Sequence, residues 1–512
     1  MGIIGEIVMI RIENSREVFF DDYLVDTEET TAEMRLHRPV RRPEPLLVFD
    51  KPWEGDRISY LSVIKDTDRY RMYYLASSSQ TKEPFRFCYA ESKDGLKWEK
   101  PALGIYDYNG SYDNNIIIYP GMIPELTAFD NMKVFIDEHP LCPAEEKYKA
   151  VMAWCGHTTL IYIVSEDAIH WRWGGIITDK GEFDSHNLAF YDRVRKKYFC
   201  YFRAEHEPKA DQPEKEKSIV PRLSRMLYDP ERGMHKAPPE GDTGIYFMRD
   251  VRVIESNDFK SWSEPVLLDF GEDADDIQLY TNAVMPYPRA PQVLVGFPTR
   301  YIERKAWTKN YDELSGKENR LRRIRGEARE GLALTDCAFM VSRDGYKWKR
   351  YDEAFIIPGA EHNLNWGYGD CYPSPYLMES AADSEGADGE YSLLITEGHN
   401  MVHPEVLYRH TIRMDGFVSL HAGGKEARIM TKPFVYRGKE MRVNIESSAR
   451  GYAYFTLIDA DGERYTSVET FGNSIDKRVH FDDGVIDKLM GQEVKLEVRL
   501  LDCDLYAVGF YD

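Results

Sequence analysis

The sequence predicts an all-β protein, a five-bladed β-propeller followed by a C-terminal β-sandwich. Three observations lead there. A turn motif recurs along the chain, two strand-like runs precede each copy, and the pattern changes beyond Phe417.

The motif is S-x-D-x-x-x-W. It occurs at Ser92, Asp94 and Trp98, at Ser165, Asp167 and Trp171, at Ser256, Asp258 and Trp262, and at Ser342, Asp344 and Trp348. A degraded fifth copy at Asp415, Gly416 and Phe417 keeps the Asp-Gly and an aromatic. Each copy follows an alternating apolar run, so each reads as a strand entering a tight turn. Asp is expected to cap the turn and Trp to pack between blades.

Upstream of each turn lie two further runs, such as YLSVIKD with RYRMYYLAS and MKVFID with KYKAVMAW. Four antiparallel strands per unit and five units place the propeller over residues 1–415, with a strand near Glu17–Val25 expected to complete the last blade. About seven short strands in residues 416–512 read as an accessory β-sandwich.

With 512 residues, 43% hydrophobic and 30% charged, the chain exceeds one core, which agrees with two domains. Its longest apolar runs, such as Asn115 to Pro120, are far short of a membrane span. Glu6 interrupts the apolar N-terminus and no basic residue precedes it, so no export signal is expected. Cys88, Cys142, Cys155, Cys200, Cys337, Cys371 and Cys503 form an odd set without C-x-x-C spacing, as expected of reduced thiols in a cytoplasmic protein. A net charge of −21 opposes nucleic acid as a partner. The 34 Tyr, 23 Phe and 9 Trp suit β-cores and also sugar stacking.

In a propeller the axial mouth is lined by the starts of the innermost strands and the ends of the second strands. Acids precede every innermost strand: Asp56, Asp130, Asp184, the pair Asp275 and Asp276, and Asp370. Like charges gathered on one axis raise one another's pKa, an arrangement suited to acid/base work on a glycosidic bond. The alternative is that individual acids only cap loops, and Asp275 and Asp276 are also suited to a cation. Second-strand ends contribute His157, Arg203, Glu205, His206, Arg300, Tyr301, Glu397, His399 and Asn400 as a substrate-orienting ring. Glu54, His186, Asn187, Gln278, Tyr280 and Trp366 flank these positions and complete the candidate binding set.

Two long polar insertions, within 207–243 and 302–330, follow second strands on the mouth side. Such loops are expected to roof the pocket or to reach a neighbouring subunit in a homo-oligomer. No P-loop, G-x-G-x-x-G, H-E-x-x-H or G-x-S-x-G motif is present. Asp184, Ser185 and His186 cannot form a relay, because adjacent strand residues point to opposite faces.

The blade pattern with acidic strand starts resembles the propellers of the invertase/levanase (family 32) and arabinanase/xylosidase (family 43) glycoside hydrolases. The strings FFDDYLVD, LHRPVRRPEPLLVFDKPWEG, YAESKDGLKWEKPALG, GSYDNNIII and RMDGFVSL look like a bacterial group of predicted glycoside hydrolases akin to the invertase family. The resemblance implies an acid on the first blade as nucleophile or base, matched in position by Asp56. It implies a transition-state stabiliser matched by Asp130 or Asp184, and a carboxylic acid that protonates the leaving group. The invertase W-M-N-D-P-N-G and E-C signatures are absent, which leaves Glu205, Glu397, Glu54 or Asp276 as candidate proton donors. The expectation is an exo-acting glycoside hydrolase that favours furanosides and needs no cofactor, with the axis open to a Ca²⁺. A propeller phosphorylase, with phosphate held by Arg203, Arg300, His206 and His399, and a non-catalytic carbohydrate-binding propeller are the alternatives.

Overall fold

The computed structural model describes residues 9–78, 81, 83–154, 156–206, 228–229, 234–235, 248–304, 307–326, 331–382, 384–399, 401 and 404–512. Among them, five antiparallel sheets form the blades of a propeller. Blade 1 runs from Arg57–Lys65 through Tyr70–Ser77 and Arg86–Ser92 to Ile116–Ile118. Blade 2 comprises Phe129–Ile136, Tyr148–Trp154, Thr159–Ser165 and Arg172–Thr178. Blade 3 comprises Leu188–Asp192, Lys197–His206, Met248–Ser256 and Val266–Leu267.

Blade 4 begins with Met285–Pro286 and ends with Ala333–Ser342 and Trp348–Ile356. Its second strand is split into Leu294–Gly296 and Thr299–Glu303, both paired with Ala333–Ser342. Pro298 lies in the gap, where a missing N–H interrupts the ladder.

Blade 5 closes the ring. Its inner strands are Met378–Ser380, Glu390–Glu397 and Val406–Arg413, and its outer edge is Val40–Arg41 and Leu47–Val48. Pro43 and Pro45 break that edge in two, a place where proline is tolerated. The closing strand is therefore residues 40–48 and not the expected Glu17–Val25. Ser15–Val18 instead pairs with Glu493–Tyr511, and Ile10–Glu13 and Glu33–Leu36 join the same C-terminal sheet system. The alternation of Ile10 and Ile12 inward with Arg11 and Glu13 outward fits these residues to the sandwich face.

The sandwich is organised by two long strands, Glu440–Asp459 and Glu493–Tyr511, whose register shifts between Ser447 and Tyr452. Its core gathers Phe434, Tyr436, Phe455, Val498 and Phe510, all fully buried.

Each blade interface holds its own apolar cluster. Tyr73 and Met152 pack between blades 1 and 2, Val151 and Cys200 between 2 and 3, Tyr201 and Leu294 between 3 and 4, Phe339 and Leu393 between 4 and 5, and Tyr74 and Leu394 between 5 and 1. The repeated motif supplies parts of these clusters. In all four copies the Asp Oδ1 accepts two backbone N–H groups, for example from Leu96 and Lys97 at 2.8 Å each, and the Ser Oγ accepts a third. Trp171 meets Tyr73 of blade 1 at 6.2 Å, and Trp348 meets Tyr201 of blade 3 at 6.0 Å.

The fifth copy has another task. Asp415, fully buried, accepts hydrogen bonds from Arg16, Arg289, Tyr287 and Asn444. It ties the propeller to the sandwich, so its turn carries neither the Ser nor the Trp.

Of the 302–330 insertion, Lys309–Glu313 and Lys317–Gly326 are helical. They pack Trp307, Tyr311, Leu314 and Ile324 against Trp366 of the same chain. Most of the 207–243 insertion lies outside the described residues. No described helix is long and apolar enough to cross a membrane. Cys88, Cys200, Cys337, Cys371 and Cys503 are buried free thiols, and Cys155 lies outside the described residues.

Candidate active site at the propeller mouth

The inner strands open onto the mouth through a shared irregularity. Tyr60, Asn131, Ala283 and Cys371, one each on blades 1, 2, 4 and 5, hold positive φ of 53°, 44°, 43° and 59°. In blades 1 and 2 the ladder shifts register at this point, between Ser59 and Ser62 and between Asp130 and Lys133. Left-handed backbone at non-glycine residues is strained, and such strain gathers where a fold aims side chains. The residue just before the bend is Ser59, Asp130, Asn282 or Asp370. Only blades 2 and 5 place an acid there.

Asp130 is the centre of the cluster. Its Oδ2 lies 3.0 Å from His157 Nε2, and Oδ1 accepts the Asn131 N–H at 2.7 Å. Burial pushes the Asp130 carboxyl above the usual carboxylate range, the His157 hydrogen bond pulls it down, and the Asp184 charge raises it again. The same hydrogen bond raises His157, with the charges of Asp184 and Asp130 acting in the same direction against burial. His157 itself sits at φ 69° after Gly156 at φ 67°, the φ pattern of a type I′ hairpin turn. Gly or Asn would fit that turn with less strain, so the imidazole is there for its contacts.

Asp184 approaches from blade 3. It is the more open of the two carboxylates, 41% exposed against 9% for Asp130, and its Oδ2 lies 3.7 Å from Arg203 Nη2. One ligand atom each of Asp130, His157 and Asp184 falls within 4.8 Å of the others. Two carboxylate oxygens and an imidazole nitrogen match a transition metal better than the all-oxygen shell of Ca²⁺.

Tyrosines enclose the other side. Tyr280 and Tyr368 hydroxyls meet at 2.7 Å, Tyr301 stacks on Tyr280, and Arg203 and Arg249 lie over the Tyr280 ring. Gln278 Oε1 accepts from Arg249 at 2.5 Å. A small cavity of about 20 Å³ lies between Tyr60, His186, Thr281, Tyr372 and His399, room for about one water.

Several expected site residues are committed elsewhere. Glu54 is fully buried and accepts from Tyr74 Oη at 2.6 Å, Lys100 Nζ at 2.7 Å and the Lys51 N–H, so it fastens blade 1. Asn187 donates to Asn131, Phe183 and Ser185 and accepts from the Arg203 N–H. His186 is buried beneath Tyr60, and burial with the nearby Lys133 charge lowers its pKa to about 3. Arg300 forms a bidentate pair with Asp336 at 2.6 Å, and Glu397 one with Arg41 at 2.5 and 2.9 Å. His206 is held between Asp250 and Asp276, whose hydrogen bonds raise it to about 9. His399 Nδ1 lies 3.1 Å from Glu405, which also accepts the Ile58 N–H and so joins blade 5 to blade 1.

Asp56 is buried at the head of blade 1, three residues ahead of Ser59. Burial lowers Arg203, and Tyr280, Asp184, Tyr60 and Glu205 around it raise it. Asp275 gives its carbonyl to Arg350. Asp370 is pushed up to about 7 by burial, against the Gly367 N–H and the Arg323 charge. Trp366 anchors the insertion, where Arg320 donates to its carbonyl and Arg323 to that of Tyr368. Asn400 lies outside the described residues. Tyr60, Tyr368, Arg249, Arg323 and Glu405 were not singled out from sequence. Tyr60 sits in an ordinary apolar run, Arg249 and Arg323 belong to or border polar insertions, and nothing local marks their targets.

No protein-family model matches the chain, and no curated protein does. Solved structures similar to it include an N-acetylgalactosamine deacetylase from F. plautii in complex with blood group B trisaccharide, at 12% identity and TM-score 0.41, covering 73% of this chain and 94% of that one. A protein from work on the GH130 family of mannoside phosphorylases has 12% identity and TM-score 0.41, covering 76% and 95%. A thermostable family-43 glycoside hydrolase has 12% identity and TM-score 0.37, covering 74% and 95%. The propeller assignment rests on the strand pairings themselves.

Proposed function

We propose that the mouth cleaves a glycosidic bond by acid/base catalysis, with Asp130 as proton donor and Asp184 as the charged partner. The observation that carries this reading is the carboxylate pair itself. Two acids share one site in contrasting settings, Asp130 buried and raised, Asp184 half open and facing Arg203. Asp130 passes its proton to the glycosidic oxygen as that bond breaks, and the Asp184 carboxylate attacks the anomeric carbon. Water then displaces Asp184, returning its proton to Asp130. One oxygen of each acid lies within 4.8 Å of the other, which agrees with this retaining order, for which carboxyl groups sit about 5–5.5 Å apart, better than with inversion at about 6.5–9.5 Å.

Exo-action on a terminal sugar is part of the same proposal, with Tyr60 beneath the sugar. A furanoside preference belongs to the proposal and is tested with it. Phosphorolysis is the weaker reading, because Arg300, His206 and His399 are already paired with carboxylates. The test is turnover of a panel of furanosides, pyranosides and oligosaccharides with and without phosphate. Phosphate-independent release of a terminal sugar is expected. Strict phosphate dependence, or binding without turnover, would move the assignment to a phosphorylase or to a binding propeller.

A further inference from the structure

His157 has two faces. Its Nε2 meets Asp130, and the same ring walls a lateral pocket of about 350 Å³ between blades 1 and 2. The pocket is lined by Phe85, Phe129, Trp154, Pro120 and Thr127 beside His157. Its volume falls within the range of small-molecule sites, roughly 300–1,000 Å³. It adjoins the reactive cluster through His157, which belongs to both.

The aromatic walls are braced from behind. Phe129 stacks on Phe87 at 5.2 Å, and Trp154 meets Trp173 edge-on at 5.4 Å. Polar groups are few among the described lining residues. Thr127 and His157 are two, and Glu83 is already engaged by Arg86 at 2.7 Å and Tyr108 at 3.4 Å. A second sugar would turn several hydroxyls toward walls that offer little in return, whereas a planar apolar ring matches them.

We propose that this pocket receives the leaving group of the substrate, and that the leaving group is an aryl ring rather than a second sugar. The inference rests on the glycosidic-bond reading of the mouth. Its test does not use turnover. Phenyl and methyl thioglycosides of the panel sugars, and the matching thio-linked disaccharides, are titrated calorimetrically into wild type and Ala128→Trp. Ala128 is an exposed rim residue, where an indole fills the pocket without entering a core. Phenyl ligands are expected to bind at least about tenfold tighter than methyl ones in wild type, and that ratio to fall toward unity in the variant. Equal phenyl and methyl affinities, a preference that survives Ala128→Trp, tighter binding of the disaccharides, or no binding by any probe would overturn it. A phenyl preference lost in Ala128→Trp without hydrolysis of any substrate would sustain the pocket and refute the catalytic reading.

Discussion

His157 Nε2 lies 3.0 Å from Asp130 Oδ2, and the backbone of His157 pays for that contact with a φ of 69°. The hydrogen bond opposes the effect of burial on Asp130. His157→Asn keeps a residue that tolerates the left-handed turn while removing the imidazole. Asp130 then titrates higher, so the high-pH limb of kcat, where a protonated donor is lost, moves up. A pH–rate profile checks this; an unmoved limb would exclude Asp130 as the donor that His157 tunes.

The spacing of Asp130 and Asp184 makes a stereochemical prediction. Proton NMR of the first-formed sugar should show the anomer of the substrate before mutarotation. The opposite anomer would place the attacking group on water and Asp184 in the role of base.

Arg16 Nη1 donates to Asp415 Oδ2 at 2.6 Å with both side chains buried. Removing one member of such a pair leaves the other charged and buried, at a cost of about 3–5 kcal/mol. Asp415→Ala should lower stability by that order in urea unfolding and separate the melting of propeller and sandwich. A loss under about 1 kcal/mol would mean that the junction is held by apolar contact alone.

Lys133 is buried on the inner strand of blade 2, and burial lowers its pKa from 10.5 to about 7. The unfolded chain keeps this proton up to pH 10.5 and the folded chain only to about 7. Folding therefore carries the full cost of the buried charge below pH 7, and the cost disappears as pH rises to 10.5. Lys133→Met should stabilise the protein at pH 6, by on the order of 5 kcal/mol at most, and much less near pH 10. Equal effects at both pH values would show that the ammonium is solvated in the folded state.

The repeat was legible because its chemistry is local. Asp94, Asp167, Asp258 and Asp344 cap the turns they begin, and four residues on, Trp171 and Trp348 reach the neighbouring blade. The mouth was less legible because its register is set by bends in the backbone. Asp56, Asp130 and Asp370 look equivalent along the sequence, yet the left-handed residues at Tyr60, Asn131 and Cys371 put only Asp130 and Asp370 at matching places. Rim residues such as Arg300 and Glu397 were expected to face substrate, but each found a bidentate partner distant in sequence or on an adjacent strand. The closing strand at 40–48 was hidden by Pro43 and Pro45, which break the run that would have marked it.

The most direct test compares steady-state turnover of wild type with Asp130→Asn, Asp184→Asn and Asp56→Asn on the best substrate of the panel, with thermal melts as controls. Asp130→Asn and Asp184→Asn should each lose about 10²–10⁴-fold in kcat with melting temperatures close to wild type, and Asp56→Asn should lose less. Near-normal turnover in either of the first two, with the loss concentrated in Asp56→Asn, would contradict the account and move the reactive centre to blade 1.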